Sequence, residues 1–189
     1  MMRQGQVQMP VTGAAAGKVR VAGIVGESVV DGPGLRFVIF AQGCPHRCPG
    51  CQNPQTWDPA GGTEMAVDEL VEQIRANPLL KGVTFSGGEP FLQAGAFGFL
   101  AGAVRELGLD VVTYTGYTWE DLLARAQGNQ EFRRLIEGSD YIVDGPYVEA
   151  LRDLALPFRG SRNQRVIDVK SSLAAGQAVL AGWGESQPG

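Results

Sequence analysis

The sequence predicts an α/β fold, because short apolar runs alternate with helical patterns along most of the chain. Residues 19–25, 35–41 and 82–86 are rich in β-branched or large apolar side chains, which is typical of strands. Apolar residues also recur at helical spacing, as they do from Val67 to Ile74. Parallel neighbours need a crossover, usually a helix, so this alternation favours a mostly parallel sheet. In such sheets, ligands bind at the carboxyl ends of the strands.

Turn residues and helix-ending residues separate the predicted elements. The turn sequence DGPG at 31–34 separates the first two strands, Asn77 and Pro78 end the first helix, and Gly108 ends the second. The further elements are a helix over 96–107, a strand at 110–113, a helix opened by a capping box of Thr118 and Asp121, a helix over 130–136, and strands at 141–144 and 165–169.

We expect one domain, since 189 residues with 44% hydrophobic content can bury one full core. It spans residues 18–181, and the flanking residues 1–17 and 182–189 predict loose tails because they lack periodicity. The net charge of -4 argues against a protein that coats nucleic-acid phosphates, so no direct nucleic-acid partner is expected. No signal-peptide core and no run of roughly 20 apolar residues is present. We therefore expect a cytoplasmic protein without a membrane partner.

The three cysteines of the chain, Cys44, Cys48 and Cys51, all lie in the stretch GCPHRCPGCQNPQTWD. An odd number in one short loop cannot form a disulfide framework, so we expect reduced thiols that are available for a metal or for chemistry. The loop follows the strand at 35–41 and therefore sits at a carboxyl end of the sheet. Structural zinc needs four ligands, and His46 is the one further candidate. An iron-sulfur cluster on three thiolates keeps one iron open to an outside molecule, and unused buried cysteines are a third interpretation.

A second motif, Gly87-Gly88-Glu89-Pro90, directly follows the strand at 82–86. Two glycines let the backbone approach a ligand closely, and a carboxylate can accept hydrogen bonds from an ammonium group. The same residues also suit an ordinary turn between a strand and a helix. The position of the motif favours ligand binding, because the motif follows the next predicted strand after the cysteine loop.

The spacing C-x3-C-x2-C, followed by GGEP, resembles the signature of the radical S-adenosylmethionine enzymes. The resemblance implies that the three cysteines hold a [4Fe-4S] cluster whose open iron is chelated by the amino and carboxylate groups of S-adenosylmethionine. One electron from the reduced cluster then cleaves a carbon-sulfur bond, and the resulting 5'-deoxyadenosyl radical abstracts a hydrogen atom. The resemblance also implies that Gly87, Gly88 and Glu89 contact the amino group of this cofactor. Gly50 departs from the pattern, because many members carry an aromatic residue there that packs on the adenine.

Further stretches resemble the activating enzymes of glycyl radical proteins, most of all those of anaerobic ribonucleoside-triphosphate reductases. They are SVVDGPGLRF at 28–37, YTGYTW at 114–119 and residues 140–169, so the resemblance runs from about residue 23 to residue 169. It implies a shortened, open (β/α) partial barrel, with residues 18–181 as the radical SAM domain. It also implies a protein substrate, the large subunit of the reductase, which loses an α-hydrogen from a glycine in its carboxyl-terminal region. The electron donor would be of the flavodoxin or ferredoxin type.

Alternatives stay open beside this interpretation. An activator of pyruvate formate-lyase, or of another glycyl radical enzyme, would share the front half of these motifs. Small radical enzymes that act on pterin-like substrates are a more distant possibility. A noncatalytic adaptor that uses the cysteine loop to bind zinc belongs to a different class of protein.

Polar residues outside the two motifs are further candidates. Asp144 ends a predicted strand at the same rim, where it could hold the carboxylate side of S-adenosylmethionine, through a cation, or simply cap a turn. Thr115 is a further candidate contact for the cofactor. Asp31 is a candidate contact for the incoming glycine loop, although the DGPG turn alone explains it. Arg159 and Arg162 belong to a basic loop that could dock on the reductase or be solvated.

Overall fold

A computed structural model of the protein describes residues 17–184 and shows an α/β fold around one seven-stranded sheet. Nearly all of the predicted N-terminal tail, and residues 185–189, lie outside the described residues. The strands are β1 Lys18–Ser28, β2 Arg36–Ala41, β3 Thr63–Ala66, β4 Gly82–Gly87, β5 Asp110–Tyr114, β6 Tyr141–Asp144 and β7 Arg165–Asp168. The helices are α1 Val67–Arg75, α2 Ala94–Glu106, α3 Trp119–Ala126, α4 Gln130–Gly138 and α5 Val169–Ala175.

The sheet is mixed, with parallel strands at its centre and antiparallel strands at its edges. Its strand order is β3-β1-β2-β4-β5-β6-β7. Strands β2, β4, β5 and β6 run parallel, whereas β1 pairs antiparallel with both β2 and β3, and β7 pairs antiparallel with β6. The α/β prediction is confirmed, but the expectation of a mostly parallel sheet holds only for the four central strands. A short turn joins β1 to β2, and a short connection can join only antiparallel neighbours.

Alternate residues of the strands face the two sides of the sheet, and the helices cover one side. Phe37 and Ile39 of β2 and Phe85 of β4 belong to the main apolar core, which also takes the buried faces of α1 to α4. A smaller cluster lies on the other side, where Val112 and Val143 pack with neighbours that include Trp183. The helices therefore occupy one face and leave the other face of the central strands to loops.

Two elements have no counterpart among the sequence-based predictions. Strand β3 is short and mostly exposed, and it forms because its backbone pairs with the first four residues of β1. Helix α5 starts at Val169, which the sequence assigns to the preceding strand, and it ends at Gly176 in a left-handed conformation with φ 69°. Neither segment has an apolar periodicity of its own, so their structure depends on tertiary contacts.

Three further observations concern the C-terminal end and the helices of the described region. Trp183, in the segment expected to be a tail, packs edge-on against Tyr141 with a centroid distance of 5.0 Å and against Phe158 at 5.4 Å. The capping box predicted for α3 is confirmed, because Thr118 and Asp121 exchange side-chain-to-backbone hydrogen bonds. Within residues 17–184, no helix combines the length and the apolar character needed to cross a bilayer.

Candidate functional site

A cavity of about 560 Å³ lies at the carboxyl ends of the central parallel strands. The sheet contributes three lining residues, namely Phe40 of β2, Ser86 of β4 and Tyr114 of β5. Their side chains lie on the side of the sheet opposite to the main core. The cavity therefore opens on the face without helices. The loops that follow β2, β4, β5 and β6 supply the walls. This is where the sequence predicts that a parallel sheet binds its ligand.

The cysteine loop forms one wall of this cavity, and Cys44, Cys48 and Cys51 all line it. The three thiols are free and partly buried. Burial is the largest influence on the first two and raises the pKa of the Cys44 and Cys48 thiols above the usual value, because a thiolate loses water there. Arg47 and Gly50 adopt left-handed backbone conformations, with φ 47° and φ 71°, and these conformations fold the loop back on itself.

The donor set suits an iron-sulfur cluster. Three free thiols from one short loop surround one cavity, and thiolates are the ligands by which proteins hold such clusters. Among residues 17–184, no group of three or more His, Cys, Asp or Glu side chains is arranged to hold one metal ion. Four thiolates usually hold such a cluster, so a fourth ligand would have to come from outside this loop.

The two glycines of the second motif bring the end of β4 against the start of the cysteine loop. Gly87 has φ 91°, and a Cβ atom on Gly88 would lie 2.4 Å from the carbonyl oxygen of Gly43. The backbone N–H of Gly88 donates to the carbonyl of Ala41, and that of Glu89 donates to the carbonyl of Gly43, both at 2.8 Å. Gly87 and Gly88 also line the cavity, so their backbone is exposed to whatever binds there.

The carboxylate of Glu89 lies behind the cavity wall and is fully buried. Its Oε1 atom accepts hydrogen bonds from the Phe91 N–H and the Thr115 hydroxyl, both at 3.0 Å. Its Oε2 atom lies 2.9 Å from both the Gly116 N–H nitrogen and the Nε2 atom of His46. Protein donors therefore surround a group that the sequence assigned to the ammonium of a cofactor.

The remaining candidates fall into two sets. Asp31, Thr115 and Arg159 line the cavity, as the sequence interpretation requires of cofactor or substrate contacts. Asp144 and Arg162 are not among the cavity-lining residues. Arg162 is exposed on the loop that follows β6, where its backbone N–H donates to the carbonyl of Leu151.

Asp144 has a structural environment of its own. Its carboxylate is 1% exposed, accepts the first backbone N–H of α3 from Trp119 at 2.7 Å, and pairs with the guanidinium of Arg165. Arg165 also binds Glu120 in a bidentate pair and lowers the pKa of that exposed carboxyl. Asp144 thus joins β6, β7 and the N-terminus of α3, a helix contact that the sequence analysis did not consider.

A buried arginine that the sequence interpretation missed fixes the DGPG turn. Arg36 is fully buried, donates to the hydroxyl of Thr84 at 2.8 Å and to the carbonyl of Pro33 at 3.2 Å, and pairs with Asp110 at 2.7 Å. The hydroxyl of Thr84 donates in turn to the carbonyl of Asp31 at 2.7 Å. The available signal was an arginine inside the apolar strand predicted at 35–41. A charge buried there needs polar partners.

Aromatic residues of the cavity were also missed. The Tyr114 hydroxyl donates to the carbonyl of Phe158 at 2.7 Å, and burial raises the pKa of Tyr114 well above its usual value, so it stays protonated as a donor. Phe158 has φ 57°, an uncommon conformation for a residue with a side chain. Gly50, where an aromatic residue was expected, faces Glu149, and a Cβ atom would lie 2.7 Å from the Cδ of that side chain.

Comparisons with known proteins agree with this geometry. The family model described as a 4Fe-4S single cluster domain matches residues 30–167. An anaerobic ribonucleoside-triphosphate reductase-activating protein of Salmonella typhimurium is 33% identical over 147 residues, which cover 73% of this chain and 91% of the relative. Its counterpart in Escherichia coli is 32% identical over 146 residues, with the same coverage. A pyruvate formate-lyase-activating enzyme of Clostridium pasteurianum is 48% identical over 79 residues, which cover 39% of this chain and 33% of that enzyme. The chain therefore belongs to the family of the anaerobic ribonucleoside-triphosphate reductase-activating proteins.

Proposed function

We propose that this protein is a radical S-adenosylmethionine enzyme that forms the glycyl radical of an anaerobic ribonucleoside-triphosphate reductase. The observation that carries the proposal is the cavity at the strand ends, where three free thiols meet the backbone of Gly87 and Gly88. The relatives named as activating proteins of this reductase match over nearly their whole length, 91% in the Salmonella protein. Family membership and the geometry of the site thus support the same reaction.

In this proposal Cys44, Cys48 and Cys51 hold the [4Fe-4S] cluster, and Gly87 and Gly88 bind S-adenosylmethionine through their backbone. When bound, the cluster supplies one electron that breaks a carbon-sulfur bond of S-adenosylmethionine. Methionine would be released, and the 5'-deoxyadenosyl group would leave as 5'-deoxyadenosine with the α-hydrogen of the substrate glycine, so that the unpaired electron would stay on the reductase. The electron comes from a donor of the flavodoxin or ferredoxin type. The protein orients these groups and shields them from water.

The fold supports a finer proposal, that residues 18–181 form a shortened, open (β/α) partial barrel. Strands β2, β4, β5 and β6 run parallel, and helices cover one face of the sheet. The cavity lies on the opposite face, as it would inside a barrel wall.

Residues at the mouth of the cavity are proposed to meet the substrate protein. Asp31 accepts a hydrogen bond from the hydroxyl of Ser28 and lines the cavity beside Val30, whose side chain is largely exposed. Leu154, on the loop that follows β6, also lines the cavity and is 80% exposed. Exposed apolar side chains at the mouth of a cavity suit a protein substrate better than a small molecule. Thr115 is proposed to lie beside the cofactor, because it lines the same cavity.

An activator of pyruvate formate-lyase is the second candidate. It is favoured by the 48% identity to such an enzyme, but that identity extends over only 79 residues and a third of the relative. The likeness to the reductase activators extends over nearly twice as many residues. The reductase is therefore the preferred substrate, and the lyase belongs in the test.

The test is anaerobic reconstitution with iron and sulfide, followed by incubation with S-adenosylmethionine, a reductant and the large subunit of the reductase. We expect about four irons per chain and a glycyl radical signal by electron paramagnetic resonance. Cys48→Ala is the matched negative control. A radical formed on pyruvate formate-lyase and not on the reductase would establish the second candidate. Zinc bound at about one per chain, without formation of 5'-deoxyadenosine, would show a noncatalytic adaptor.

A further inference from the structure

His46, the sole histidine of the chain, lies between the first two cysteines and lines the same cavity as they do. Its Nε2 atom is 2.9 Å from Oε2 of Glu89, and its side chain is 18% exposed. Glu89 belongs to the second motif, which is 43 residues away along the chain. One side-chain hydrogen bond therefore joins the cysteine loop to the segment that follows β4.

The surroundings of Glu89 fix the direction of this bond. The carboxylate also receives the N–H groups of Phe91 and Gly116 and the hydroxyl of Thr115. A carboxylate with these donors around it acts only as an acceptor. The Nε2 atom of His46 therefore carries the hydrogen and donates it to Glu89.

The imidazole ring is held in place on further sides. A Cβ atom on Gly116 would lie 2.4 Å from Cδ2 of His46, so a glycine is needed there for the loop after β5 to approach the ring. The edge of Tyr117 contacts the ring at a centroid distance of 4.6 Å. The guanidinium of Arg125 stacks over Tyr117 at 4.4 Å. The histidine thus has one defined orientation, set by the end segments of both β4 and β5.

We propose that His46 is a positioning residue, which through Glu89 holds the three cysteines at a fixed distance from the cavity-lining backbone of Gly87 and Gly88. This inference rests on the proposed function, since it concerns the relative placement of the cluster and of S-adenosylmethionine. The residue acts in this proposal through the hydrogen bond that its Nε2 atom makes to Glu89, and the three thiols remain the ligands.

Other contacts show why the loop needs such a bond in its middle. The N–H groups of Gly43 and Cys44 are anchored to the carbonyls of Thr56 and Trp57, at the base of the loop. Between Cys44 and Cys48 the chain passes through Arg47 in a left-handed conformation, which costs energy for a residue with a side chain. The hydrogen bond of His46 lies next to this residue and secures the segment that the anchors at the base do not reach.

Because the loop supplies the proposed cluster ligands, the position of its thiols determines where the cluster lies relative to S-adenosylmethionine. In metal sites, mutation of the outer groups that orient the ligands typically lowers metal affinity or activity by about 10-fold to 100-fold. Movement of the loop would shift the three thiols relative to the backbone of Gly87 and Gly88 without removing a ligand. Loss of the His46 bond should therefore weaken the binding of S-adenosylmethionine more than it weakens the binding of iron.

The experiment compares His46→Leu with His46→Gln in the reconstituted protein. Gln can place an amide N–H close to the position of Nε2, so it retains the donor, whereas Leu fills similar space without one. Iron content is measured first, and the reduced cluster is then titrated with S-adenosylmethionine by electron paramagnetic resonance. We expect the Leu variant to need at least about tenfold more S-adenosylmethionine for the spectral change, and the Gln variant to stay within about threefold of the wild type.

The outcomes separate this inference from the proposed function. If the Leu variant titrates like the wild type, or if both variants are impaired equally, His46 does not act through its hydrogen bond and the inference is wrong. If the wild-type protein binds iron but shows no change with S-adenosylmethionine, the proposed function itself fails. Recovery of binding in the Gln variant is the result that a merely space-filling role would not produce.

Discussion

At the scale of single residues, Glu89 is the point where three segments of the chain meet. Its two carboxylate oxygens are matched to four donors, from His46, Phe91, Thr115 and Gly116. Because each oxygen receives at least one backbone N–H, the site requires acceptors on both sides. The motif that resembles a cofactor contact in the sequence is also a structural junction.

We predict that Glu89→Gln destabilises the protein although the two side chains have nearly the same shape. In either orientation the new NH2 group faces a backbone N–H, from Phe91 or from Gly116, and one buried donor is left without a partner. The expected loss in the free energy of unfolding is about 2 kcal/mol. Urea denaturation of the metal-free protein measures it.

The control for this substitution is Glu106→Gln, an exposed position at the end of α2. It makes the same chemical change away from the site, and its effect should stay below about 0.5 kcal/mol. An equal loss in the two variants would mean that the buried donors around Glu89 do not need its charge.

At the scale of elements, Asp144 shows how β6, β7 and α3 are held together. The carboxylate is buried at the end of β6, the guanidinium of Arg165 comes from β7, and the N–H of Trp119 opens α3. The positive end of the helix adds to the attraction for a negative charge at this position.

We predict that Arg165→Met lowers the free energy of unfolding by about 3 kcal/mol, since it leaves the charge of Asp144 buried without its cation. Thermal and chemical unfolding measure the loss. Glu120→Gln is the matched control, because it removes only the exposed partner of Arg165. Its effect at neutral pH should be below about 1 kcal/mol.

The difference in stability between the wild type and Glu120→Gln should depend on pH. Arg165 lowers the pKa of the Glu120 carboxyl, so the contribution of this pair is present above the ordinary pKa of a glutamate. The contribution disappears as the pH falls through the lowered pKa. The wild type and Glu120→Gln should therefore become equally stable in acid. A difference that grows on acidification would contradict this assignment.

Much of the architecture at this scale follows from local sequence. Apolar periodicity and turn residues predict the central strands and α1, α2 and α4, and the capping box at Thr118 predicts the start of α3. Strand β3 and helix α5 were missed, because their residues gain stability from pairing and packing with distant segments. The antiparallel edge at β1 and β2 was available from the DGPG turn, which is too short for a crossover.

The location of the site was predictable from the sequence, but the contacts within it were not. The spacing of the cysteines and the GGEP motif locate the cavity, since both follow strands that are neighbours in the sheet. The partners of Glu89 were not predictable, because His46 and Thr115 are 43 and 26 residues away. Such contacts depend on how the strand ends are arranged in space, which no local pattern encodes.

At the scale of the whole molecule, we expect charge on the loop that follows β6 to contribute to docking of the substrate protein. Arg162 is exposed on this loop and lies outside the cavity. We predict that Arg162→Ala weakens binding of the reductase about threefold to tenfold, because a charge at the rim of an interface mainly affects association. Binding is measured by titration at two salt concentrations.

Cleavage of S-adenosylmethionine in the absence of the reductase should be unchanged in Arg162→Ala. The control is Arg75→Ala, which removes an exposed arginine at the end of α1, where it pairs with Glu72. If Arg75→Ala weakens the complex as much as Arg162→Ala, the effect reflects net charge and the loop is not a docking surface.

The anchoring of the cysteine loop has a consequence for the life of the protein in air. The backbone N–H groups of Gly43, Cys44 and Glu89 and the side chain of His46 hold this loop through hydrogen bonds that use none of its three thiols. We therefore expect much of the shape of the loop to outlast the loss of iron to oxygen. Fresh iron and sulfide should then restore the cluster without new synthesis of the chain.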